Sequence, residues 1–252
     1  MIEIFLLSLI QGITEFLPIS SSSHLIIFSN LTNFENQSLS IDVSLHIGSF
    51  VAVITYFYKD LKHFIKNKNL FLKILIASLP VMLCGFFLVQ TGLINKIRNI
   101  EVIGWTTLIF GILLYISDKF RLEKNIDNNF NYKSVIFIGL FQILSLMPGV
   151  SRSGISITAA RLLNFKRFDA AKISFLLSIP TVGAVSIFGI KNLINSKSLS
   201  ISALNLIAIF LSFLFSLITI NYFLKYIKKF SLNIFVFYRI ILGIALLCVA
   251  YL

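Results

Sequence analysis

Two short stretches of this 252-residue chain carry residues whose types and spacing could do chemistry. The first runs Gln11-Gly12-Ile13-Thr14-Glu15-Phe16-Leu17-Pro18-Ile19-Ser20-Ser21-Ser22-Ser23-His24 and sits between the apolar runs Ile4 to Ile10 and Leu25 to Phe28. It offers an amide, a carboxylate, four consecutive hydroxyls and an imidazole, the parts of nucleophilic or acid–base catalysis. The second runs Pro148-Gly149-Val150-Ser151-Arg152-Ser153-Gly154-Ile155-Ser156-Ile157-Thr158 and sets a guanidinium among hydroxyls. Arginine stays charged and binds phosphoryl oxygens in bidentate fashion, so the ligand these stretches suit together is phosphate or diphosphate.

Each residue admits more than one role. Glu15 could pair with Arg152, act as a general base or hold a metal. Gln11 lies one helical turn earlier on the same face and could orient a metal or a water, or bond to another helix. Ser21 is three residues before His24, which places both on one face of a helix and makes Ser21 a nucleophile or phosphate ligand, with His24 as its acid or base or else a satisfied core histidine. Ser20, Ser22 and Ser23 read as helix caps and hydrogen bonders, and Ser151, Ser153 and Ser156 as donors to phosphate oxygens, although capping also explains the first two. His46 reads as an interfacial residue, His63 as solvated in a basic loop, and Arg239 as snorkelling or pairing rather than catalysing.

The elements that must position these groups belong to a membrane. The chain is 57% hydrophobic and 13% charged, with a mean hydropathy of +0.92, far from the composition of a soluble domain. Ionisable groups inside such sequence are costly and point to function. Pro18 breaks a helix and the serines can cap a new one, so the first stretch reads as two half-helices around a polar break. The second stretch repeats the device after the apolar run Val135 to Met147. Between them lie the polar loop Asn30 to Asp42 and three apolar segments, Val43 to Tyr58, Ile74 to Thr91 and Val102 to Ser117. Ile173 to Ile190, Ala203 to Leu224 and Ile234 to Leu252 follow the second break. Most approach the ~20 residues that cross a bilayer. The order is broken hairpin plus three spans, twice, in a single membrane domain over 1–252 with halves 1–117 and 134–252 and a cytoplasmic linker at 118–133. Because three is odd, the halves enter from opposite sides, an inverted-topology repeat of all-α class.

Charge supports this expectation. With both hairpins re-entrant, sixteen of the 22 basic residues fall on one side and four, Lys96, Arg98, Lys191 and Lys197, on the other; Arg152 and Arg239 lie inside membrane segments. The basic side is cytoplasmic, which puts both termini and the site's opening outside. The net charge of +12 thus reflects short loops against anionic headgroups rather than nucleic-acid binding. The two polar breaks meet near mid-membrane, each followed by a helix N-terminus that favours an anion. Cys84 and Cys248 lie in apolar runs without metal spacing and read as packing residues. Glu3 opens the chain without a basic n-region, so no cleavable signal is expected.

Two other classes compete. A lipid-phosphate transporter would share the broken helices and basic cleft, whereas the Ser21/His24 pair beside Arg152 favours an enzyme. An acid-phosphatase-like lipid phosphatase would need a second downstream histidine, and none follows His63.

The motifs Glu15-Phe16-Leu17-Pro18-Ile19-Ser20-Ser21 with His24 and Pro148-Gly149-Val150-Ser151-Arg152-Ser153-Gly154 resemble the two signatures of the bacterial undecaprenyl-diphosphate phosphatases, the bacitracin-resistance or BacA-type family. The run Gly139 to Ala184, with Phe175-Leu176-Leu177-Ser178-Ile179-Pro180, resembles it too. The resemblance implies a membrane enzyme of the bacterial inner membrane that removes the terminal phosphate of undecaprenyl diphosphate, recycling the lipid carrier of peptidoglycan synthesis. It also implies bacitracin resistance, with bacitracin competing by sequestering the lipid substrate, a homodimer, and a divalent cation, Mg²⁺ or Ca²⁺. The family's functional residues fall on Glu15, Ser21, His24, Ser151, Arg152 and Ser156. Gln11 stands where many members carry a second glutamate, which weakens a two-carboxylate metal site, and Ser156 stands where threonine is usual.

Overall fold

The computed structural model describes residues 1–32, 39–66, 68–93, 97–195 and 202–251. Part of the expected polar loop (33–38) and the basic residues Lys96 and Lys197 lie outside them. The first broken hairpin is α1 (Ile2–Thr14) and α2 (Ser21–Thr32), with the break at Glu15 to Ser20. Three long apolar helices follow, α3 (Leu39–Tyr56), α5 (Lys68–Gln90) and α6 (Ile100–Asp118), with the short α4 (Tyr58–Lys66) between the first two. After a one-turn helix, α7 (Ile126–Asn129), the second hairpin is α8 (Tyr132–Ile143), a 3₁₀ turn over Leu144–Leu146, a break, and α9 (Arg152–Leu162). It leads into α10 (Arg167–Asn195), α11 (Ala203–Ile227) and α12 (Asn233–Tyr251). The six long helices are apolar and long enough to cross a membrane, and the protein is an all-helical membrane protein.

The helices pack reciprocally between the halves. α1 lies on α11 and α8 lies on α5, so each hairpin's first arm rests on the second long helix of the other half. The first long helices, α3 and α10, pack together, as do the third ones, α6 and α12. Small and hydroxylated residues make the close seams, as expected where lipid removes the hydrophobic drive between helices. Along α3 and α11, the Ser212 hydroxyl donates to the Leu45 carbonyl (2.7 Å), Ser216 to Ser49 (3.0 Å), and Asn205 to Ser40 and Ser44 (2.7 and 3.0 Å). Gly48 has room for no side chain there, since a Cβ would meet Ser212 Cβ at 2.8 Å.

The linker after α6 is tied down. Asp118 accepts two hydrogen bonds from Arg167 (2.7 and 3.0 Å) and one from the Leu232 amide (3.2 Å). Arg161, read from sequence as one of the loop cations, is instead fully buried. Its guanidinium donates to the carbonyls of Asp118 (3.2 Å), Phe120, Arg121 (3.1 Å) and Phe165. The fork of donors satisfies carbonyls where α6 and α9 end, which is why burial is tolerated. Cys84 is half-buried, and Cys248 is exposed on α12 rather than packed inside.

Candidate active site

The two breaks are held against each other by backbone acceptors and buried donors. Each begins its second helix with a serine in the left-handed region, Ser20 at φ 74° and Ser151 at φ 70°. Ser151 Oγ caps α9 by accepting from the Gly154 amide (3.1 Å), while Ser20 Oγ bonds Ser23 Oγ (2.9 Å). Gly149, at φ 92°, sits so close to Thr106 that a Cβ would overlap its hydroxyl. The Thr106 hydroxyl in turn donates to the Pro148 carbonyl (2.5 Å). Ser153 Oγ donates across to the Leu17 carbonyl (2.7 Å), a direct tie between the hairpins.

Arg239, on α12, is the main clamp. It is fully buried and donates to the carbonyls of Pro18 (3.2 Å), Val150 (3.0 Å), Gly149 (2.9 Å) and Thr107 (3.3 Å). It does not snorkel and forms no ion pair among the described residues; it joins both breaks and α6 through backbone oxygens. The signal in the sequence was an arginine inside an apolar run, which marks burial with partners but does not say which.

At this junction Glu15 is the centre. Its Oε1 accepts from Arg152 Nη2 at 2.9 Å, and its Oε2 accepts from Ser21 Oγ at 2.6 Å and Gln11 Nε2 at 3.1 Å. The carboxylate is 8% exposed, so the ion pair replaces lost hydration. Arg152 Nη1 is buried and has no hydrogen-bond partner among the described residues. A polar cavity of about 70 Å³ is lined by Glu15, Ser20, Ser21, Ser22, Ser145, Ser151 and Arg152. The larger cavity, about 350 Å³, is lined by apolar side chains such as Phe50, Ile74 and Leu176 and carries no titratable group.

The structure thus gathers Gln11, Glu15, Ser21, Ser22, Ser151 and Arg152. It gives Ser21 a different partner from the one the helical spacing suggested. Both ring nitrogens of His24 are engaged elsewhere, Nδ1 with the Ser20 carbonyl (2.6 Å) and Nε2 with the Tyr238 hydroxyl (2.5 Å), so Glu15 is the base in contact with Ser21. The Ser153 hydroxyl is spent on Leu17 and Ser151. Ser156 is buried a turn into α9, without a hydrogen-bond partner for its hydroxyl among the described residues, and it does not line the cavity. Ser145 escapes the sequence reading, and His46 reads there as interfacial. Ser145 lines the cavity, and His46 reaches the site: its Nδ1 accepts from Gln11 Nε2 at 3.1 Å, so the Gln11 amide bridges His46 to Glu15. His46 lies in an otherwise ordinary span, and nothing in its local pattern shows that the span passes behind α1.

Comparison with known proteins bears on what this junction does. The family model described as "Bacitracin resistance protein BacA" matches residues 4–245. The chain belongs to the BacA family. Its relatives include a Pelagibacter ubique (strain HTCC1062) protein named undecaprenyl-diphosphatase, 52% identical over 251 residues and covering 99% of this chain and 98% of that one. Proteins of the same name from Jannaschia sp. (strain CCS1) and Alcanivorax borkumensis (strain ATCC 700651 / DSM 11573 / NCIMB 13689 / SK2) are 41% and 38% identical. The first covers 98% of both chains and the second 97% of both. The BacA match takes in both breaks and all the site residues named above.

Proposed function

We propose that this protein hydrolyses undecaprenyl diphosphate to undecaprenyl phosphate and inorganic phosphate. The observation that carries the reading is Glu15 bound at once to Ser21 on its own hairpin and to Arg152 on the other. A nucleophile, its base and an anion-binding cation then share one small cavity, and the BacA relatives named undecaprenyl-diphosphatase supply the substrate.

The diphosphate takes the cavity with its terminal phosphoryl group against Arg152, whose free Nη1 donates to it, and against the amides at the start of α2 and α9. Ser21 Oγ forms a bond to the terminal phosphorus as the bond to the bridging oxygen breaks. The Ser21 proton passes to Glu15, and undecaprenyl phosphate leaves with the electron pair. Water then attacks the phosphoserine, Glu15 returns its proton to the departing serine oxygen, and phosphate carries away the proton of the water. Arg152 stabilises the charge spread over the equatorial oxygens in both steps.

A divalent cation would draw on Glu15 and Gln11. Gln11 Oε1 is a buried oxygen without a hydrogen-bond partner among the described residues, while its Nε2 is the atom turned to the Glu15 carboxylate. Hard cations such as Mg²⁺ or Ca²⁺ take oxygen ligands, and Mg²⁺ is commonly held by one or two protein groups plus substrate phosphate. Glu15 and Gln11 would hold it, and it would supply charge neutralisation to the diphosphate.

The reciprocal packing of α1 on α11 and α8 on α5, with the shared left-handed cap serines, supports an inverted repeat whose hairpins are re-entrant. The basic residues gathered on one side support an inner-membrane protein with both termini outside and a site opening outward. Carrier recycling for peptidoglycan synthesis, bacitracin resistance through competition for the lipid, and a homodimer rest on the family resemblance.

The test is phosphate release from undecaprenyl diphosphate by purified protein in detergent. Release at enzymatic rates is expected. Its absence there, with phosphate-lipid movement in sealed vesicles, would favour a transporter.

A further inference from the structure

His24 carries chemistry that the proposed mechanism does not use. It is absent from the cavity wall, yet both of its ring nitrogens are engaged. The identity of those partners settles where its proton sits. Nδ1 lies 2.6 Å from the Ser20 carbonyl oxygen, and a carbonyl only accepts, so Nδ1 carries the hydrogen. In the neutral ring Nε2 is then the basic nitrogen, and it faces the hydroxyl of Tyr238 at 2.5 Å. The phenol therefore donates to Nε2. The two rings also stack, with centroids 5.7 Å apart and planes 13° apart, which fixes the imidazole face as well as its edge.

Tyr238 arrives from α12, 214 residues away along the chain, and its neighbour Arg239 clamps the two breaks. The position of the phenol is thus set by the same anchor that sets the site. Tyr238 is 41% exposed, whereas Glu15 and Ser20 are buried.

We infer that Tyr238 is a positioning residue for His24: its hydroxyl donates to Nε2 of the Nδ1–H tautomer that the Ser20 carbonyl fixes, and is the group through which Nε2 exchanges protons. A phenol both donates and accepts. When its oxygen takes a proton from water or from a phosphate group, its own proton moves to Nε2; the reverse transfer restores the starting state. Tyr238 keeps its proton count in either direction. The same ring holds Ser20, because the Nδ1–H bond anchors the carbonyl of the left-handed cap residue on which α2 begins. The inference rests on the phosphatase reading for its kinetic consequence and on geometry alone for the tautomer.

The test has two arms on full-length protein in detergent. Nitrogen NMR of protein carrying ¹⁵N-labelled histidine, with the His24 signals identified by their loss in His24→Gln, reads the tautomer directly. We expect a protonated Nδ1 and an Nε2 that accepts a hydrogen bond, with Tyr238→Phe shifting the Nε2 signal and leaving Nδ1 in place. A protonated Nε2, or an Nε2 signal that Tyr238→Phe leaves unmoved, overturns the inference whatever the enzyme does. The second arm measures phosphate release by wild type, Tyr238→Phe, His24→Gln and the double variant. Tyr238→Phe keeps the ring stack and loses only the hydroxyl, so kcat should fall about tenfold with KM little changed. In the His24→Gln background the same substitution should change kcat less than about twofold, the non-additivity of groups acting in series. Equal losses in both backgrounds, or wild-type kcat in Tyr238→Phe, would show that the phenol does not act through His24. A wild type that releases no phosphate sinks the phosphatase reading and leaves the NMR arm standing.

Discussion

The two hairpins build the same backbone around different chemistry. Each turns at a break that ends on a serine in the left-handed region, Ser20 or Ser151, and each has a buried glutamine nine residues upstream, Gln11 or Gln142. In the first hairpin that glutamine faces a carboxylate, and Glu15 then takes a hydroxyl and a guanidinium. In the second, the place of Glu15 counted back from the serine is held by Leu146, and the ionisable group, Arg152, follows the serine instead. The hydroxyls divide similarly. Ser21 points its proton at a base, while Ser151 caps a helix and Ser153 ties down Leu17. One scaffold thus carries the anionic half of the proposed site and its counterpart carries the cationic half. Neither half could keep its charge buried alone, which is the physical reason for composing the site from two.

Substitutions test that division of labour. Ser21→Ala should produce the largest effect, a loss of at least roughly 10⁴-fold in kcat for phosphate release, because it deletes the nucleophile. Near-normal turnover would mean that water attacks directly. Arg152→Lys keeps the charge but loses the fork that serves Glu15 and the phosphate together, and should cost on the order of 10²–10³ in kcat/KM. Arg239→Gln leaves several carbonyls of both breaks unpaired and should lower stability by about 3 kcal/mol, read as a fall in Tm, with activity lost as the hairpins separate. Chelation with EDTA should lower the rate of wild type, and Gln11→Ala should blunt its response to added Mg²⁺; a rate indifferent to both would remove the cation from the site. Ser153→Ala should matter least. It should cost about 1 kcal/mol of stability, with kcat within about twofold of wild type, and a large kinetic loss would place Ser153 on the phosphate instead.

Much of this was legible in the sequence because a membrane makes polar residues conspicuous. Glu15 and Arg152 stood out among apolar neighbours, and their ion pair is what two such residues brought together by their hairpins must form. The two breaks followed from Pro18 and the serines, whereas several long helices run past the apolar runs: α10 covers Arg167–Asn195 where the run is Ile173 to Ile190, and α3 begins at Leu39, inside the expected polar loop. What stayed hidden were contacts across the chain. The spacing of Ser21 and His24 suggested a pair, since three residues share a helical face, but local periodicity cannot show that Tyr238 and the Ser20 carbonyl occupy the imidazole first. The same holds for His46, whose contact with Gln11 depends on α3 passing beside α1, and for Arg161, whose carbonyl partners come from the end of α6, the linker after it and the turn past its own helix. An apolar span announces that it is buried in lipid or protein; it does not announce which neighbour it meets.

The most direct test of the composite site is a double-variant comparison of Glu15→Gln, Arg152→Gln and the two combined, measured as phosphate release from undecaprenyl diphosphate by purified protein. If the carboxylate and the guanidinium act as one unit across the hairpins, each single change abolishes nearly all activity and the combined variant is no worse than either. Losses that multiply, or a single variant that keeps the wild-type rate, would contradict the account.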